Sequence, residues 1–189
     1  MNAAMDISSL LINTLGSMAL LIFLLRFLLQ LVRADFYNPI SQFIVKATNP
    51  LLIPLRRIIP GYGGLDISSL LLVYAIQVLM LVALVFASGQ TQIPWLAFAV
   101  LAPFKVLLLI LNVYFWGLII VVIASWVAPN SYNPALILIN QIIEPVMRPI
   151  RKLMPDLGGI DLSPIVLFLG IQILEVVISN IGQSVLASL

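Results

Sequence analysis

The amino-acid sequence predicts an all-α, polytopic membrane protein: four transmembrane helices in two parallel tandem repeats of two, each with a cytoplasmic interfacial segment broken by prolines. Three observations lead to this prediction. The 189 residues are 62% hydrophobic and only 8% charged, whereas soluble domains carry about 25% charged residues. Four apolar runs are long enough to cross a bilayer. A basic, proline-rich phrase occurs twice, after the first run and after the third.

The composition also limits the chemistry. A water-soluble fold needs more polar surface residues than this chain has, so a bilayer must cover much of it. Cysteine and histidine are both absent, which excludes disulfides, thiolate catalysis and histidine-ligated haem. The net charge of +2 is too small to indicate nucleic-acid binding. No nucleotide-binding, zinc or serine-hydrolase motif occurs, so we expect no enzymatic activity, cofactor or metal site.

The four predicted spans cover about residues 7–32, 69–88, 105–127 and 164–188. About twenty helical residues cross 30 Å of hydrocarbon, and a helix satisfies its own backbone polar groups there. The stretch 93–103 is apolar but short and contains Pro94 and Pro103, so we expect a loop or interfacial turn before the third span. The first run lacks the basic start of a cleavable signal, which favours a span.

The repeated phrase becomes visible when residues 95 positions apart are compared, because no gap is needed. The matching pairs are Asn38-Pro39 with Asn133-Pro134, Pro50 with Pro145, Pro54 with Pro149, Arg56 with Arg151, Arg57 with Lys152, Gly63-Gly64 with Gly158-Gly159, and Asp66 with Asp161. This predicts a duplication, with a first repeat at 1–92 and a second at 93–189. Two crossings return the chain to its starting side, so the repeats are parallel and related by a pseudo-two-fold axis along the membrane normal.

The basic residues predict the orientation. They cluster after the first and third spans, and the opposite side offers only Lys105; the clustered residues are Arg33, Lys46, Arg56, Arg57, Arg148, Arg151 and Lys152. By the positive-inside rule, both phrases face the cytoplasm and both termini lie outside.

The residues of each phrase also predict its local structure. Asn-Pro suits a helix start, and the prolines at 50, 54 and 60 predict a broken amphipathic helix in the headgroup layer. Gly-Gly gives an open turn, and Asp66 and Asp161 are expected to cap the following spans. Arg56, Arg57, Arg151 and Lys152 are expected to contact anionic headgroups, at roughly 1 kcal/mol each. Three interpretations stay open: a topology signal, a paired cytoplasmic site across the pseudo-axis, or a docking surface for a partner.

Two charges fall inside the predicted spans. Glu175 lies about twelve residues into the fourth span, near the middle of the membrane, and is expected to face the bundle interior. Arg26 lies seven residues before Arg33, so its long side chain either snorkels to the cytoplasmic face or pairs with Glu175. The repeat does not copy them, since Val121 and Met80 stand at the equivalent positions.

Three amides also fall in the spans, and they are expected to hydrogen-bond between helices instead of lining a path. They are Gln77, Asn112 and Gln172.

Two copies of the pattern P-x3-P-x-[RK]-[RK]-x2-P-x2-GG-x-D-x-S, each before an apolar span, resemble the YggT family of small bacterial membrane proteins. The segments FYNPISQF and ASWVAPNSYNP add to this likeness. The resemblance implies a bacterial inner-membrane protein with a role in osmotic or cation stress, division-related processes or haem-protein assembly. Single-copy relatives include YlmG-type proteins and chloroplast factors for cytochrome b assembly. No agreed molecular activity comes with the resemblance.

Two function classes follow. The first is a non-enzymatic membrane scaffold or assembly factor that contacts lipids and either a membrane-protein partner or another copy of itself. The second is a small oligomeric channel or transporter for cations or osmolytes. The few polar residues in the spans favour the scaffold, because a conducting path needs a polar lining.

Overall fold

A computed structural model gives the tertiary structure and describes residues 3–129, 131–154 and 161–188. Its six helices are α1 (Ala3–Leu31), α2 (Pro39–Ile58), α3 (Ile67–Ala87), α4 (Trp95–Val127), α5 (Pro134–Leu153) and α6 (Ser163–Ala187). Four of them, α1, α3, α4 and α6, are long and apolar enough to cross a membrane. The all-α architecture with four spans is therefore confirmed.

The two long helices of each repeat run antiparallel and in close contact. Gly16 of α1 faces Met80 of α3, and Gly182 of α6 faces Phe104 of α4. A Cβ atom on Gly16 would lie 2.8 Å from the Met80 sulfur, so glycine lets the Met80 side chain lie directly against α1. Small residues at such crossings allow membrane helices to pack closely. Each repeat thus contains two membrane spans, and its amphipathic helix packs against both of them.

The two repeats meet through different surfaces. Helix α3 packs against α4, and α2 packs against α5. A closed two-fold interface would also join α6 to α1, yet no comparable packing joins them in the described ranges. The interface is therefore heterologous. Of the three interpretations left open for the phrases, the paired site would need a symmetric contact, whereas α2 and α5 meet asymmetrically in the described ranges.

Helix α4 corrects the expected loop at 93–103. It begins at Trp95 and continues through Pro103 to Val127, over 33 residues. Proline at 103 removes the N–H that would bond the carbonyl of Ala99. The hydroxyl of Tyr74 in α3 donates to that carbonyl instead, at 3.2 Å. A tertiary contact therefore satisfies the acceptor that the proline leaves free, and the helix continues.

Helices α2 and α5 correct the expected break at the prolines. Each is a continuous helix of 20 residues with two internal prolines four positions apart, Pro50 and Pro54 in α2 and Pro145 and Pro149 in α5. Residues four apart share one helix face, and all four prolines are exposed. The carbonyls that lose a hydrogen bond to these prolines therefore lie on the outer side of each helix, away from the packed face. Pro60 lies beyond the end of α2.

The core spans the repeat boundary. Leu24 and Leu28 of α1 pack with Leu52 of α2, Val73 of α3 and Val106 of α4 in one buried apolar cluster. Leu24 and Leu52 have no exposed surface. This core fixes the C-terminal half of α1 against both repeats, and it positions the polar sites on either side of it.

Candidate functional site

The first basic phrase folds into a partly buried ion-pair network. The Arg56 guanidinium binds the Asp66 carboxylate and donates a 3.0 Å hydrogen bond to Oε1 of Gln30. Asp66 is the N-cap of α3, where it accepts from the backbone N–H and the hydroxyl of Ser69. Asp66 is only 2% exposed. Arg56 thereby joins the end of α2 to the start of α3 and to the end of α1.

The second phrase forms an exposed version of this network. The Nε of Arg151 donates to Asp161 at 3.0 Å, and its Nη1 donates to both oxygens of Glu144 at 3.2 and 3.3 Å. All three side chains are between 41% and 51% exposed. Asn49 stands at the position equivalent to Glu144, so the second carboxylate belongs to this repeat alone.

A single proline explains much of this difference. In α3, the backbone N–H that Asp66 accepts from belongs to Ser69, three residues later. The equivalent residue in α6 is Pro164, which has no N–H to donate. Asp161 accepts from the N–H of Ser163 instead, at 2.9 Å, and the N-cap of α6 is Leu162. The expectation that Asp161 caps α6 as Asp66 caps α3 is therefore corrected.

The electrostatics follow the same pattern. Burial raises the pKa of Asp66, but hydrogen bonds from Arg56 and Ser69 outweigh it and hold the pKa below the ordinary 3.8. Hydrogen bonds from Ser163 and Arg151 likewise lower the pKa of Asp161. The hydrogen bond to Asp161 raises the pKa of Arg151. Both aspartates are therefore ionised at neutral pH and serve as fixed anions for their arginines.

These contacts revise the lipid-binding expectation. Arg56 and Arg151 use their guanidinium groups within the protein, where the sequence suggested contact with headgroups. The neighbouring Arg57 and Lys152 are exposed and form no ion pair with any residue that the structure describes. For these two, headgroup contact stays a prediction.

The turns that open α2 and α5 are tied together. Asn38 caps α2 by accepting from the N–H of Ile40, and its side-chain amide donates to the carbonyl of Pro134 at 2.8 Å. Asn133 caps α5 in the same manner. A second bond runs from the N–H of Asp35 to Gln141 at 3.0 Å. The sequence predicted the Asn-Pro helix starts, but nothing in it indicated that they touch.

The Gly-Gly turn of the first phrase has a specific conformation. Gly63 and Gly64 have φ angles of +61° and +85°, and Tyr62 and Leu65 on either side exchange two backbone hydrogen bonds. A tight turn with two positive φ angles favours glycine at both positions. The equivalent Gly158-Gly159 lies outside the described residues.

A polar cavity of about 340 Å³ lies among all four spans. Its polar lining consists of Asn13 and Ser17 from α1, Gln77 from α3, Lys105 and Asn112 from α4, and Glu175 from α6. Glu175 lines this cavity together with residues of the other three spans. Gln77 and Asn112 line a cavity, contrary to their expected role between helices.

Lys105 lies deeper in its span than the sequence predicted. It was assigned to the outer flank of the third span, but α4 begins ten residues earlier, at Trp95. Lys105 therefore lies about 15 Å along the helix. The apolar stretch before Lys105 is the signal that could have placed it there. In the described residues, no three metal-ligating side chains lie together.

Arg26 lies in a different cavity from Glu175. It lies with Gln30 and Arg33 at the C-terminal end of α1, against Ser41 of α2. The interpretation in which Arg26 pairs with Glu175 is therefore wrong. Buried apolar residues of α1, including Leu20 and Leu24, separate the two cavities.

A family model described as CCB3/YggT matches residues 5–87 and again residues 100–182. The chain belongs to the CCB3/YggT family. The two matches are offset by 95 residues, the same interval that separates the two basic phrases. The YggT resemblance and the tandem duplication are thus confirmed, while the division at residues 92 and 93 stays a prediction.

The relatives extend over most of the chain. An uncharacterized protein of Pseudomonas aeruginosa is 53% identical over 173 residues, which is 89% of this chain and 86% of that protein. The uncharacterized protein YggT of Escherichia coli K12 is 35% identical over 180 residues, covering 95% and 93%. The uncharacterized protein ycf19 of Guillardia theta matches over 75 residues, or 82% of its length, which is about one CCB3/YggT unit. No solved structure matches this chain.

Proposed function

We propose that this protein is a non-enzymatic scaffold or assembly factor of the bacterial inner membrane. The observation that carries the proposal is the pair of hydrogen bonds, Asn38 to Pro134 and Asp35 to Gln141, that joins the first turns of α2 and α5. Together α2 and α5 form what we term the platform. Its internal ion pairs hold each amphipathic helix to the spans beneath it. A fixed surface of this kind suits the positioning of a partner.

The exposed chemistry of the platform indicates what it contacts. Four of its basic residues are exposed and form no ion pair within the part of the chain that the structure describes; they are Lys46, Arg57, Arg148 and Lys152. Tyr37 and Tyr132, beside the two helix starts, are 86% and 91% exposed. Basic and aromatic side chains at one level are typical of the membrane–water interface. The proposed contacts are anionic lipid headgroups and a membrane-protein partner or second copy.

The proposed orientation places the platform in the cytoplasm and both termini in the periplasm, because the basic residues cluster on the platform side. Alkaline phosphatase fusions test it, since the enzyme is active only outside the cytoplasm. We expect high activity after Leu189 and low activity after Gly61. The reverse pattern would contradict the orientation.

Site-specific photo-crosslinking tests the scaffold. A photoreactive amino acid at Arg148 on the platform should give one product of defined mass in cells, and the same partner should co-purify stoichiometrically in mild detergent. Ile181 of α6, which is 49% exposed, is the matched control on a span. Equal products from both positions, or none from Arg148, would contradict a platform-specific partner. The YggT resemblance makes osmotic and cation stress the conditions in which to repeat the comparison.

The polar cavity supports a second candidate function, an oligomeric channel or transporter for cations or osmolytes. All four spans contribute to the cavity, and Lys105 and Glu175 both line it. Charges within spans usually mark substrate or ion pathways. Ion flux in liposomes should then be abolished by Glu175→Gln and unaffected by Gln172→Ala, since Gln172 is exposed on the same helix. Absence of flux in the wild-type protein would exclude this candidate.

A further inference from the structure

A second cavity, of about 320 Å³, lies between the C-terminal end of α1 and the start of α2. Its polar lining consists of Arg26, Gln30, Arg33 and Ser41. Apolar side chains complete one side, among them Phe36 and Val45. No carboxylate from the described residues lines it. We term it the basic cavity.

Two buried polar atoms at the basic cavity have no partner. The Nε of Arg26 and the hydroxyl of Ser41 are inaccessible to solvent and form no hydrogen bond within the described part of the chain. Ser41 as a whole is only 4% exposed. Buried polar atoms are nearly always hydrogen-bonded, because an unpaired one keeps its full desolvation penalty. Both groups can donate, so an acceptor in the cavity would satisfy both.

The charge balance calls for an anion. Arg26 and Arg33 line the cavity, and Arg56 is joined to it through Gln30. Asp66 is already bound by Arg56 and Ser69, and Asp35, two residues after the exposed Arg33, does not line the cavity. Arg26 forms no ion pair within the described residues, so positive charge is in excess at a partly buried place. Such an excess is unfavourable unless a counter-ion neutralises it.

The backbone of Arg33 adds an independent indication. Arg33 has a φ angle of +53° and ends α1 in a Schellman motif, in which Ala34 donates to Leu29 at 2.8 Å. Glycine is the usual residue at this position, and α3 uses Gly89 there with a φ angle of +77°. An arginine with this backbone is strained, and strained residues tend to occur at functional sites.

We propose that the basic cavity binds a phosphate group, with Arg26 and Arg33 supplying charge and Ser41 supplying a hydroxyl donor. Arginine and hydroxyl donors suit phosphate oxygens. The phosphate comes either from an anionic phospholipid headgroup, whose first acyl carbons lie against Phe36 and Val45, or from free phosphate. The site goes beyond the scaffold function and does not depend on it.

The repeat indicates one site per chain. The positions equivalent to Arg26, Arg33 and Ser41 are Val121, Ala128 and Leu136. None of these can hold an anion with its side chain. The second repeat therefore serves as an internal control, and the binding stoichiometry should be one.

Binding is tested with the full chain in a neutral maltoside detergent, by native mass spectrometry and thermal shift. The probes are dioctanoyl phosphatidylglycerol, dioctanoyl phosphatidylcholine and inorganic phosphate. We expect one phosphatidylglycerol per chain, with affinity reduced about tenfold or more by Arg26→Gln and severalfold by Ser41→Ala. Lys105→Gln, which removes a positive charge that lines the other cavity, should change the affinity less than twofold.

The probes also distinguish the two sources. Binding of phosphatidylglycerol alone assigns a lipid, and equal Arg26-dependent binding of inorganic phosphate assigns the free anion. Phosphatidylcholine binding as tight as phosphatidylglycerol would overturn the requirement for net negative charge. Equal losses of affinity in Lys105→Gln and Arg26→Gln would overturn the site itself.

The variant Arg33→Gly separates a loss of binding from a loss of folding. Glycine suits the positive φ angle, so this variant should melt at the wild-type temperature or above it while its affinity for phosphatidylglycerol falls at least threefold. Unchanged affinity in this variant would overturn the role of Arg33.

Discussion

The side-chain amide of Asn38 donates a 2.8 Å hydrogen bond to the carbonyl oxygen of Pro134, and so links the first turns of two helices that the duplication made equivalent. The reciprocal bond, from Asn133 to Pro39, is not formed between these described residues. The linkage between repeats is therefore one-sided, in agreement with the heterologous packing of α3 against α4.

Asn38→Asp should separate the two roles of Asn38. Aspartate keeps the oxygen that caps α2 but loses the N–H₂ donor to Pro134. We expect a loss of about 1 kcal/mol in the free energy of unfolding. Asn133→Asp is the matched control, because Asn133 makes only the capping bond among the described contacts. Equal melting temperatures for the two variants in detergent would contradict the link.

Asp66→Asn and Asp161→Asn should differ in severity. An asparagine can still cap the helix, so the first change mainly removes the partner of Arg56. A fully buried pair loses about 3–5 kcal/mol when broken; because one-third of Arg56 is exposed, we expect about 2–3 kcal/mol. The exposed Asp161 pair should contribute at most about 1 kcal/mol. Thermal unfolding in detergent measures the stability of both variants. Equal losses in Asp66→Asn and Asp161→Asn would contradict the stronger role of the buried pair.

Low pH should destabilise the folded protein by protonating Asp66, the partner of Arg56 in the first phrase. The pKa of Asp66 lies below its ordinary 3.8 in the folded protein, so the unfolded chain takes up the proton more readily. The stabilisation is therefore fully present above the ordinary carboxyl pKa and is lost as pH falls through the folded pKa. We expect Asp66→Asn to lack this part of the acid dependence in unfolding measurements between about pH 5 and pH 2. If the free energy of unfolding depends on pH equally in the wild-type protein and in Asp66→Asn, the lowered pKa of Asp66 is refuted as the cause.

Exchanging the capping residues should exchange the cap geometry. Pro164→Ser returns an N–H three residues after Asp161, and we expect it to stabilise α6 by about 0.5–1 kcal/mol. Ser69→Pro removes both bonds that Ser69 donates to Asp66, and we expect a loss of about 1–2 kcal/mol. Melting temperatures in detergent measure both. Destabilisation by Pro164→Ser would show that the missing N–H is not the cause.

The polar cavity should contain water. Because the chain has no cysteine, single-cysteine variants report accessibility cleanly. Asn13 lines the cavity, whereas Leu15 lies two residues away on α1, is 64% exposed and does not line it. We expect Asn13→Cys to react with a membrane-impermeant methanethiosulfonate and Leu15→Cys to react at least tenfold more slowly, since the thiolate is the reactive form. Equal rates would contradict a wetted cavity.

Much of the candidate site was within reach of the sequence. The interval of 95 residues aligns both phrases, and it pointed to Asp66, Asp161 and their arginines as paired features. It did not show that Arg56 binds Asp66, because nine residues, including the end of α2 and the Gly-Gly turn, lie between them. It also did not predict continuous helices through Pro50 and Pro54. A proline break is a local tendency, and packing of the opposite helix face overrides it.

The sequence by itself determined the class, the number of spans and the duplication. Composition and run length depend on the energy of moving each residue from water to lipid, which is a sum of local terms. Only the tertiary structure decided which polar groups share a cavity. Lys105 joins Glu175, and Arg26 joins Ser41, because the rotation and depth of each helix follow from packing between distant segments. Equivalent sequence positions therefore acquired different surroundings, and the two repeats became chemically distinct.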